Sequence, residues 1–408
     1  MKAAVISIGN EILLGKTLNT NMAFLGSELA KIGIPVEYAL TIKDDPEAII
    51  KALSETWNKY EVVISTGGLG PTEDDLSKSA IARFFGKELH FDDEVWAYVQ
   101  NMFSRRKMHT PEINRCQAMV PNDFEVLKNE RGTAPGLHYC QDNRHFFALQ
   151  GVPLEMRHIF ENHIKAILRS SYHDLKGIHQ RTLRTHGISE SRLAELFKLA
   201  DLPEDVSLAW LPQTGRVDMR FYGTNLDQIN LAMDKASEVL NDYLWSWNDQ
   251  SPAEVLLGYL WKNGNTISVA ESCTGGLVQK LITDIAGASK AFLGGIIAYT
   301  NEIKESVLKV DSQTLSRYGA VSEQCAAEMA IGIKALTKSG YALSLTGIAG
   351  PDGGTAEKPV GTVCFGFIAA EKIWTKTQIF TGDRDSIRYK SAEFALLELI
   401  KFEQGRNS

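Results

Sequence analysis

The chain has 408 residues, of which 44% are hydrophobic and 23% are charged, and its 50 acidic and 43 basic residues give a formal net charge of −7. This length suggests two or three domains, and the acidic balance argues against a dedicated nucleic-acid binder, which needs a basic surface. No apolar stretch reaches the roughly 18 residues of a membrane span. The apolar run at the N-terminus is too short for a signal peptide, so we expect a cytoplasmic protein. The five cysteines include no C-x-x-C pair, which argues against a disulfide framework or a zinc ribbon.

Strands and helices alternate from the N-terminus to Gly86. In chain order, the hydrophobic spacing predicts a strand over 2–8, a helix over 19–33, a strand over 36–42, a helix over 46–60, a strand over 61–66 and a helix over 74–85. This alternation favours a doubly wound α/β domain with a parallel sheet, whose ligand crevice lies beyond the carboxyl ends of the strands. We therefore expect the loops after Ile8 and after Ser65 to lie on one rim.

The rest of the chain is predicted to form two further domains. Residues 170–250 hold a helix over 190–199 and an alternating stretch over 206–222, a combination typical of a small α+β domain. Later predicted elements are strands over 266–270, 294–300, 341–346 and 360–369, with helices that end at 285 and begin at 302. The predicted fold class is α/β, with domains at 1–169, 170–250 and 251–408.

The segment GNEILLGKT over 9–17 resembles a Walker A loop at first sight. It has five residues between its glycines instead of four, so we reject a P-loop nucleotide-binding site. Two interpretations stay open. The segment is either an ordinary strand-to-helix loop or a site at which Glu11 reaches a metal ion or a ribose.

The segment TGGLGPTEDD over 66–75 combines glycines with acidic residues. Gly67, Gly68 and Gly70 let the backbone approach a ligand closely, and exposed N–H groups can bind an anion. A capping box at the start of a helix accounts for some of the acids, yet clustered carboxylates such as Asp74 and Asp75 also suit a hard cation. A plain helix cap and a metal-assisted phosphate site both stay open.

The segment AESCTGG over 270–276 places Ser272, Cys273 and Thr274 in a row where a strand turns into a helix. Any of the three could be a nucleophile, since the N-terminus of a helix stabilises an oxyanion or a phosphate. An ordinary N-cap is the alternative. No motif supplies a histidine partner for the cysteine, and the G-x-S-x-G elbow is absent, which leaves a Ser–Lys arrangement.

Lys304, in the segment YTNEIK, is the candidate base. We predict Asn301 as the N-cap of a helix, which would put Lys304 in the first turn, where the positive end of the helix lowers its pKa. A lowered pKa is what a neutral amine base requires. A solvated surface lysine is the alternative. Further along, GIAGPDGG over 347–354 is either a phosphate cradle or a plain loop.

Taken in their order, these segments resemble the CinA family, the competence/damage-inducible protein A family, over essentially the whole chain. The segments ISIGNEILLG, STGGLGPTEDD and ALQGVPLEM are similar to the molybdopterin-binding fold. The segments AESCTGG, IIAYTNEIK, TGIAGPDGG, KPVGTV and TGDRD are similar to the nicotinamide mononucleotide deamidase domain. A run of ordered motifs is far more specific than any one of them.

The resemblance implies that the C-terminal domain hydrolyses the carboxamide of nicotinamide mononucleotide to nicotinate mononucleotide and ammonia, without a cofactor. In that activity Ser272 is the nucleophile, Lys304 its base and Tyr299 an assisting hydroxyl. The implied substrate-binding residues are Thr274, Gly275, Gly347, Gly350 and Arg384.

The resemblance also implies that the N-terminal domain hydrolyses ADP-ribose to AMP and ribose 5-phosphate with a divalent metal ion, Mg²⁺, Co²⁺ or Mn²⁺, and it leaves K⁺ open as a further cation. The implied metal ligands are Glu11, Asp74 and Asp75, with Gly67, Gly68 and Gly70 at the substrate. The family's middle region is KH-like, but no G-x-x-G loop occurs here, so we do not expect nucleic-acid binding. A homodimer is the default expectation for the assembly.

Two other functions compete with this bifunctional nucleotide hydrolase. One is an enzyme of molybdenum-cofactor chemistry acting through the N-terminal fold, since one fold hosts several chemistries. The other is a non-enzymatic partner of competence or DNA-damage machinery. The first leaves the C-terminal motifs unexplained, and the second predicts that Ser272 is dispensable.

Overall fold

The computed structural model describes residues 1–71, 76–198 and 202–406. The chain divides into two compact units, Met1–His179 and Gln180–Ser408. Within the described ranges, every helix is too short or too polar to cross a membrane.

The first unit alternates strands and helices over most of its length. Its elements are β1 (Ala3–Ile8), α1 (Asn10–Leu13), α2 (Thr20–Lys31), β2 (Val36–Ile42), α3 (Pro46–Thr56), β3 (Val62–Thr66), α4 (Ser77–Phe84), β4 (Leu89–Phe91), α5 (Asp93–Arg105), β5 (Met119–Pro121), β6 (Glu125–Leu127), β7 (Gly136–Gln141), β8 (Arg144–Leu149), α6 (Pro153–Ile159) and α7 (Lys165–Ser171).

A six-stranded sheet in the order β2-β1-β3-β8-β7-β6 forms the centre of this unit. The first four of these strands are mutually parallel, and β7 and β6 add antiparallel pairs. Every residue of β1 is buried, because its side chains alternate between two hydrophobic clusters on opposite faces of the sheet. Burial on both faces is what a parallel sheet covered by helices requires, and the predicted doubly wound α/β fold is confirmed.

The second unit holds two sheets. Its elements are β9 (His179–Thr185), α8 (Glu190–Leu196), β10 (Val206–Gln213), β11 (Arg216–Gly223), α9 (Leu226–Leu240), β12 (Leu244–Ser246), α10 (Pro252–Asn263), β13 (Ile267–Glu271), α11 (Leu277–Thr283), β14 (Phe292–Ile297), α12 (Asn301–Ser306), α13 (Ser312–Tyr318), α14 (Glu323–Thr337), β15 (Tyr341–Gly347), β16 (Thr362–Ala369), β17 (Lys372–Ile379) and α15 (Arg384–Glu403).

The sheet that carries the C-terminal motifs has the order β14-β13-β15-β16-β17. Strands β14, β13 and β15 are parallel, whereas β16 and β17 pair antiparallel. The segments after β13 and after β14 therefore leave the sheet at the same edge. The other sheet, in the order β10-β11-β9-β12, gives residues 179–246 the predicted α+β character.

Several element boundaries differ from the sequence-based prediction. Helix α3 ends at Thr56 because the next residues fold back, with the N–H groups of Lys59 and Tyr60 donating to the Thr56 carbonyl. Strand β14 spans Phe292–Ile297 and not 294–300, since the chain leaves the strand once Ala298 N–H has bonded the Glu271 carbonyl at 2.7 Å. The predicted start of the helix over 74–85 and the predicted end of the helix over 190–199 lie outside the described residues. The boundaries of three domains stay a prediction.

Candidate active site

The turn that carries Ser272 begins where β13 ends. Strand β13 is completely buried, and Ser272 N–H extends its pairing by donating to the Leu345 carbonyl at 2.9 Å. The chain then reverses into α11 through Gly276, whose φ of 93° lies in the left-handed region that favours glycine. This turn leaves the Ser272 side chain at the edge of the sheet, beside the segment that follows β14.

Lys304 reaches Ser272 from that neighbouring segment. Its Nζ lies 3.2 Å from Ser272 Oγ, 2.9 Å from the Ala298 carbonyl oxygen and 3.4 Å from the Tyr299 carbonyl oxygen. Lys304 is only 1% exposed and Ser272 only 8%. The alternative of a solvated surface lysine is therefore wrong, and the structure brings Ser272 and Lys304 together.

Burial lowers the pKa of Lys304 from its usual 10.5, against smaller opposing effects of Cys325, Cys273 and Glu302. The predicted cause of such a shift, the positive end of a helix, is wrong. The N-cap of α12 is Thr300 and not Asn301, and Lys304 lies in the last turn of this six-residue helix. The charged amine is disfavoured because the side chain is removed from water.

Cys273 is a poor nucleophile in this setting. Its side chain is 7% exposed, and burial raises the pKa of its thiol to about 12. The thiolate is the reactive form of cysteine, so almost none of it is present near neutral pH. Among the three consecutive candidates, Ser272 alone has a base within hydrogen-bond distance in the described chain.

A cavity of about 240 Å³ opens beside the Ser272–Lys304 pair. Besides these two residues, the predicted site residues that line it are Tyr299, Gly347 and Arg384. Further lining comes from Cys273, Asn301, Ala320, Val321, Thr346 and Ala349.

The other predicted substrate-binding residues of this unit, Thr274, Gly275 and Gly350, are not part of the lining. Thr274 is completely buried, and its carbonyl accepts a hydrogen bond from Arg388 Nη2 at 2.8 Å. Gly350 contributes through its carbonyl, which accepts from Arg384 Nη1 at 2.5 Å. Gly350 thus contacts the lining residue Arg384, and the role of Thr274, Gly275 and Gly350 at a substrate stays a prediction.

Tyr299 and Arg384 meet at the mouth of the cavity. Arg384 Nη2 donates to Tyr299 Oη at 3.1 Å, while its Nη1 holds the Gly350 carbonyl. Tyr299 is 58% exposed, so its ring faces the side from which a ligand would enter. A guanidinium at this place supplies positive charge and further N–H donors for an anionic ligand.

Sequence reasoning missed Glu271, the residue before the nucleophile. Its carboxylate is completely buried and accepts hydrogen bonds from the backbone N–H groups of Gly276, Val278 and Gln279. A glutamate ahead of a row of hydroxyl residues gave no signal of capping, because N-caps are usually Ser, Thr, Asp or Asn at the cap position itself.

The first unit has a separate cavity of about 390 Å³ at the carboxyl ends of its strands. The loops after β1 and β3 both line it, as the doubly wound fold predicts. Gly67, Gly68 and Gly70 belong to the lining. A Cβ atom at Gly67, where φ is 114°, would overlap the Ile8 carbonyl oxygen, so only glycine fits between these two loops.

Three carboxylates line this cavity, those of Glu11, Asp44 and Glu155, and its described lining contains no basic side chain. Carboxylate oxygens are donors that suit a hard cation. The described residues nevertheless assemble no group of three His, Cys, Asp or Glu side chains able to hold a metal ion. Of the predicted ligands only Glu11 is placed here, since Asp74 and Asp75 lie outside the described residues.

Two family models match separate parts of this chain. Residues 4–170 match the family model described as a probable molybdopterin binding domain, and residues 249–402 match the model of the CinA C-terminal domain. A CinA-like protein of Kosmotoga olearia is 39% identical over 404 residues, which cover 97% of both chains. A crystal structure of CinA from Thermoplasma acidophilum shares 32% identity with a TM-score of 0.38, covering 42% of this chain and 98% of that one.

A protein of Caldanaerobacter subterraneus named as competence-damage inducible is 37% identical over 411 residues, which cover 100% of this chain and 99% of its own length. Because the similarity extends over the full length and a family domain matches in each part, this chain belongs to the CinA family.

Proposed function

We propose that the second unit hydrolyses the carboxamide of nicotinamide mononucleotide, giving nicotinate mononucleotide and ammonia, with Ser272 as nucleophile and Lys304 as base. One observation carries the proposal: a lysine that is 1% exposed holds its Nζ 3.2 Å from a serine Oγ at the wall of a cavity. A buried amine with a lowered pKa beside a hydroxyl is the arrangement that activates a serine without histidine.

The reaction divides into acylation and deacylation. Neutral Lys304 takes the hydroxyl proton as Ser272 Oγ attacks the carboxamide carbon, and the tetrahedral intermediate then expels ammonia, which carries off the proton from Lys304. Water, deprotonated by the same amine, then attacks the acyl-enzyme and releases the carboxylate and Ser272. The net change is amide plus water to carboxylate and ammonium.

Two backbone N–H groups beside Ser272 support the oxyanion step. Those of Cys273 and Thr274 donate to no oxygen atom in the described part of the protein, and the acceptor beside them is the Cys273 thiol, whose sulfur is a weak acceptor. N–H groups of this kind stabilise the negative charge that develops on the carboxamide oxygen, because they need no reorganisation during the reaction. An oxyanion bound there would be held next to the attacking hydroxyl.

The choice of a mononucleotide as substrate rests on Arg384 and on the family resemblance. Arg384 projects from the start of α15 to the cavity, beside the loop over 347–354. Its remaining N–H groups suit a phosphate, which a guanidinium binds with two parallel hydrogen bonds. Tyr299, already bonded to this arginine, would orient the substrate at the mouth.

For the first unit we propose hydrolysis of ADP-ribose as a second activity. The observation that favours a cation-dependent reaction is the charge of its cavity, where three carboxylates and no described basic residue would repel a diphosphate. A divalent cation bound there would neutralise the diphosphate and activate water. Of the predicted ligands, Glu11 is the one that lies at this cavity among the described residues.

Ammonia release from nicotinamide mononucleotide tests the first proposal. The full chain should release ammonia, and Ser272→Ala should reduce the rate at least about 1,000-fold, as loss of a catalytic nucleophile does. Free nicotinamide, which lacks ribose and phosphate, serves as the comparison substrate and should react far more slowly. A full chain that folds yet releases no ammonia, or a Ser272→Ala variant that matches it, would refute the proposal.

A further inference from the structure

The helix that follows the nucleophile turn is capped in an unusual way. Most other helices of this unit begin with a cap from the side chain of the N-cap residue itself: Ser251 Oγ accepts from Glu254 N–H, Ser322 Oγ accepts from Cys325 N–H, and Asp383 caps α15 in the same way. Helix α11 has no such cap, because its N-cap residue is Gly276. Its first N–H groups are bonded by the carboxylate of Glu271, which lies on the strand and not in the turn.

The carboxylate of Glu271 is buried, and each of its oxygens accepts at least one backbone hydrogen bond. Oε2 accepts from Gly276 N–H at 2.9 Å and from Val278 N–H at 3.2 Å, and Oε1 accepts from Gln279 N–H at 2.9 Å. Glu271 is 0% exposed, so these donors replace its water shell. Hydrogen bonds to an ionised acceptor are about twice as strong as neutral ones, and this carboxylate therefore fixes both ends of the turn.

This arrangement leaves the hydroxyl of Ser272 available. Serine at the start of a helix normally bonds a backbone N–H, and a hydroxyl used in this way points its lone pairs at the backbone. Here the helix N-terminus is already satisfied by Glu271, and the partner of Ser272 Oγ is Lys304 Nζ at 3.2 Å. Thr274 Oγ1, which is also buried, bonds none of these N–H groups.

The backbone of Glu271 connects to the base as well. Its carbonyl accepts from Ala298 N–H at 2.7 Å, and the Ala298 carbonyl accepts from Lys304 Nζ at 2.9 Å. One residue thus joins the end of β13, the start of α11 and the segment that presents the lysine. Displacing its side chain would move the nucleophile relative to the base.

We propose that Glu271 is a positioning residue for the deamidase proposed above: its buried carboxylate caps α11 in place of a hydroxyl and so holds Ser272 Oγ toward Lys304. It touches neither substrate nor reacting atoms. Its loss would lower the turnover rate while leaving the binding of substrate and the titration of Lys304 nearly unchanged.

The experiment compares Glu271→Gln with Glu254→Gln in the full chain. Glu254 makes a matched control, because its carboxylate also accepts a backbone N–H at a helix start, that of Ser251 at 2.6 Å, at the N-terminus of α10. Two measurements are made: steady-state kinetics with nicotinamide mononucleotide, which give kcat and KM, and the rate at which a fluorophosphonate labels Ser272, followed by intact mass. In the labelling step Ser272 Oγ bonds phosphorus, fluoride leaves, and Lys304 takes the hydroxyl proton.

For Glu271→Gln we expect kcat and the labelling rate to fall about 10- to 100-fold, as a displacement of about 1 Å does, with KM within about threefold. The midpoint of the pH–rate profile, which belongs to Lys304, should not move. Glu254→Gln should keep both rates. Glu271→Asp, which retains the charge but reaches less far, should fall between Glu271→Gln and the unmodified chain.

Glu271→Gln and Glu271→Asp variants that fold and label at the unmodified rate would overturn the inference. So would a failure of both variants to fold, which would give Glu271 a general structural role. Labelling also separates this inference from the choice of substrate. If the unmodified chain labels at Ser272 but does not deamidate the mononucleotide, the proposed function fails and the labelling rates still decide the role of Glu271.

Discussion

The Lys304 amine is stabilised as a neutral group by its surroundings. Removing a charged amine from water is costly, and the Lys304 side chain has only carbonyl and hydroxyl oxygens within hydrogen-bond distance, with no carboxylate bonded to Nζ among the described residues. Two of those acceptors come from the short segment between β14 and α12, and they orient Nζ toward Ser272. The same burial that lowers the pKa therefore also aims the base.

The rate of deamidation should rise with pH through the lowered pKa of Lys304. The sign follows from the mechanism, because only the neutral amine accepts a proton and the neutral fraction grows as pH increases. Since burial moves this pKa downward, the midpoint of the rise should lie below the usual value of 10.5. We expect kcat/KM for nicotinamide mononucleotide to show this single rising limb.

A control for this profile is Lys304→Arg. Its guanidinium stays protonated throughout the accessible pH range, so the variant should be inactive at every pH. A profile that is flat in the unmodified chain from about pH 6 to the usual lysine pKa, or an active Lys304→Arg variant, would contradict the assignment of the base.

At the scale of elements, α15 supplies the positive side of the candidate site. This 20-residue helix starts at Arg384, which lines the cavity, and Arg388 one turn later holds the Thr274 carbonyl. The hydrophobic spacing predicts no helix here. The residues from Ser391 to Ile400 are all buried, and a helix buried all round lacks the apolar stripe on which such a prediction depends.

Arg384→Ala should weaken the binding of the mononucleotide. We expect KM to rise at least about tenfold with a smaller change in kcat, because a charge-assisted bond to phosphate is lost from a group distant from the amide. Lys390→Ala is the matched control: Lys390 is a cation of the same helix whose Nζ bonds the Thr381 carbonyl at 2.6 Å and which is not part of the cavity lining. Equal effects of both substitutions on KM would exclude a specific phosphate contact by Arg384.

The sequence allows the proximity of Ser272 and Lys304 to be predicted, but not the role of Glu271. Ser272 and Lys304 are 32 positions apart, yet both follow neighbouring parallel strands, β13 and β14, so their proximity is what the predicted topology requires. The capping role of Glu271 could not be foreseen, since its carboxylate bonds N–H groups five to eight residues further on. Periodicity reports which face of an element is buried and not which atoms a long side chain reaches.

At the scale of the whole molecule, each compact unit has its own candidate site. Among the described residues, the cavity of the first unit is lined by residues from Ile8 to Glu155, and that of the second by residues from Ser272 to Arg384. The alternation of elements was enough to predict both α/β folds. It could not place Trp245, which precedes the predicted boundary at 250 and yet belongs to the core built around β13 and α15.

The two activities should be separable by single substitutions. Glu11→Gln should lower ADP-ribose hydrolysis at least about tenfold, as loss of a group that holds a cation does, and leave ammonia release unchanged. Ser272→Ala should have the reverse effect. Both reactions are measured on each full-length variant, with and without EDTA, and calorimetry with Mg²⁺ or Mn²⁺ reports cation binding without reference to activity.

Chelation with EDTA should stop ADP-ribose hydrolysis and leave ammonia release unchanged. Hydrolysis that persists in EDTA and in Glu11→Gln would remove the cation from the account of the first unit. A loss of ammonia release in Glu11→Gln would show instead that the two sites depend on each other.

The central claim, that Ser272 and Lys304 act as one catalytic unit, is tested most directly by ammonia release from nicotinamide mononucleotide in Ser272→Ala, Lys304→Ala and the double variant, with Cys273→Ala as control. Each single substitution should reduce kcat at least about 1,000-fold, and the double variant should be no slower than the slower single one, because residues that act as a unit are not additive. Cys273→Ala should keep most of the activity. An inactive Cys273→Ala, an active Ser272→Ala, or single effects that multiply in the double variant would contradict the account.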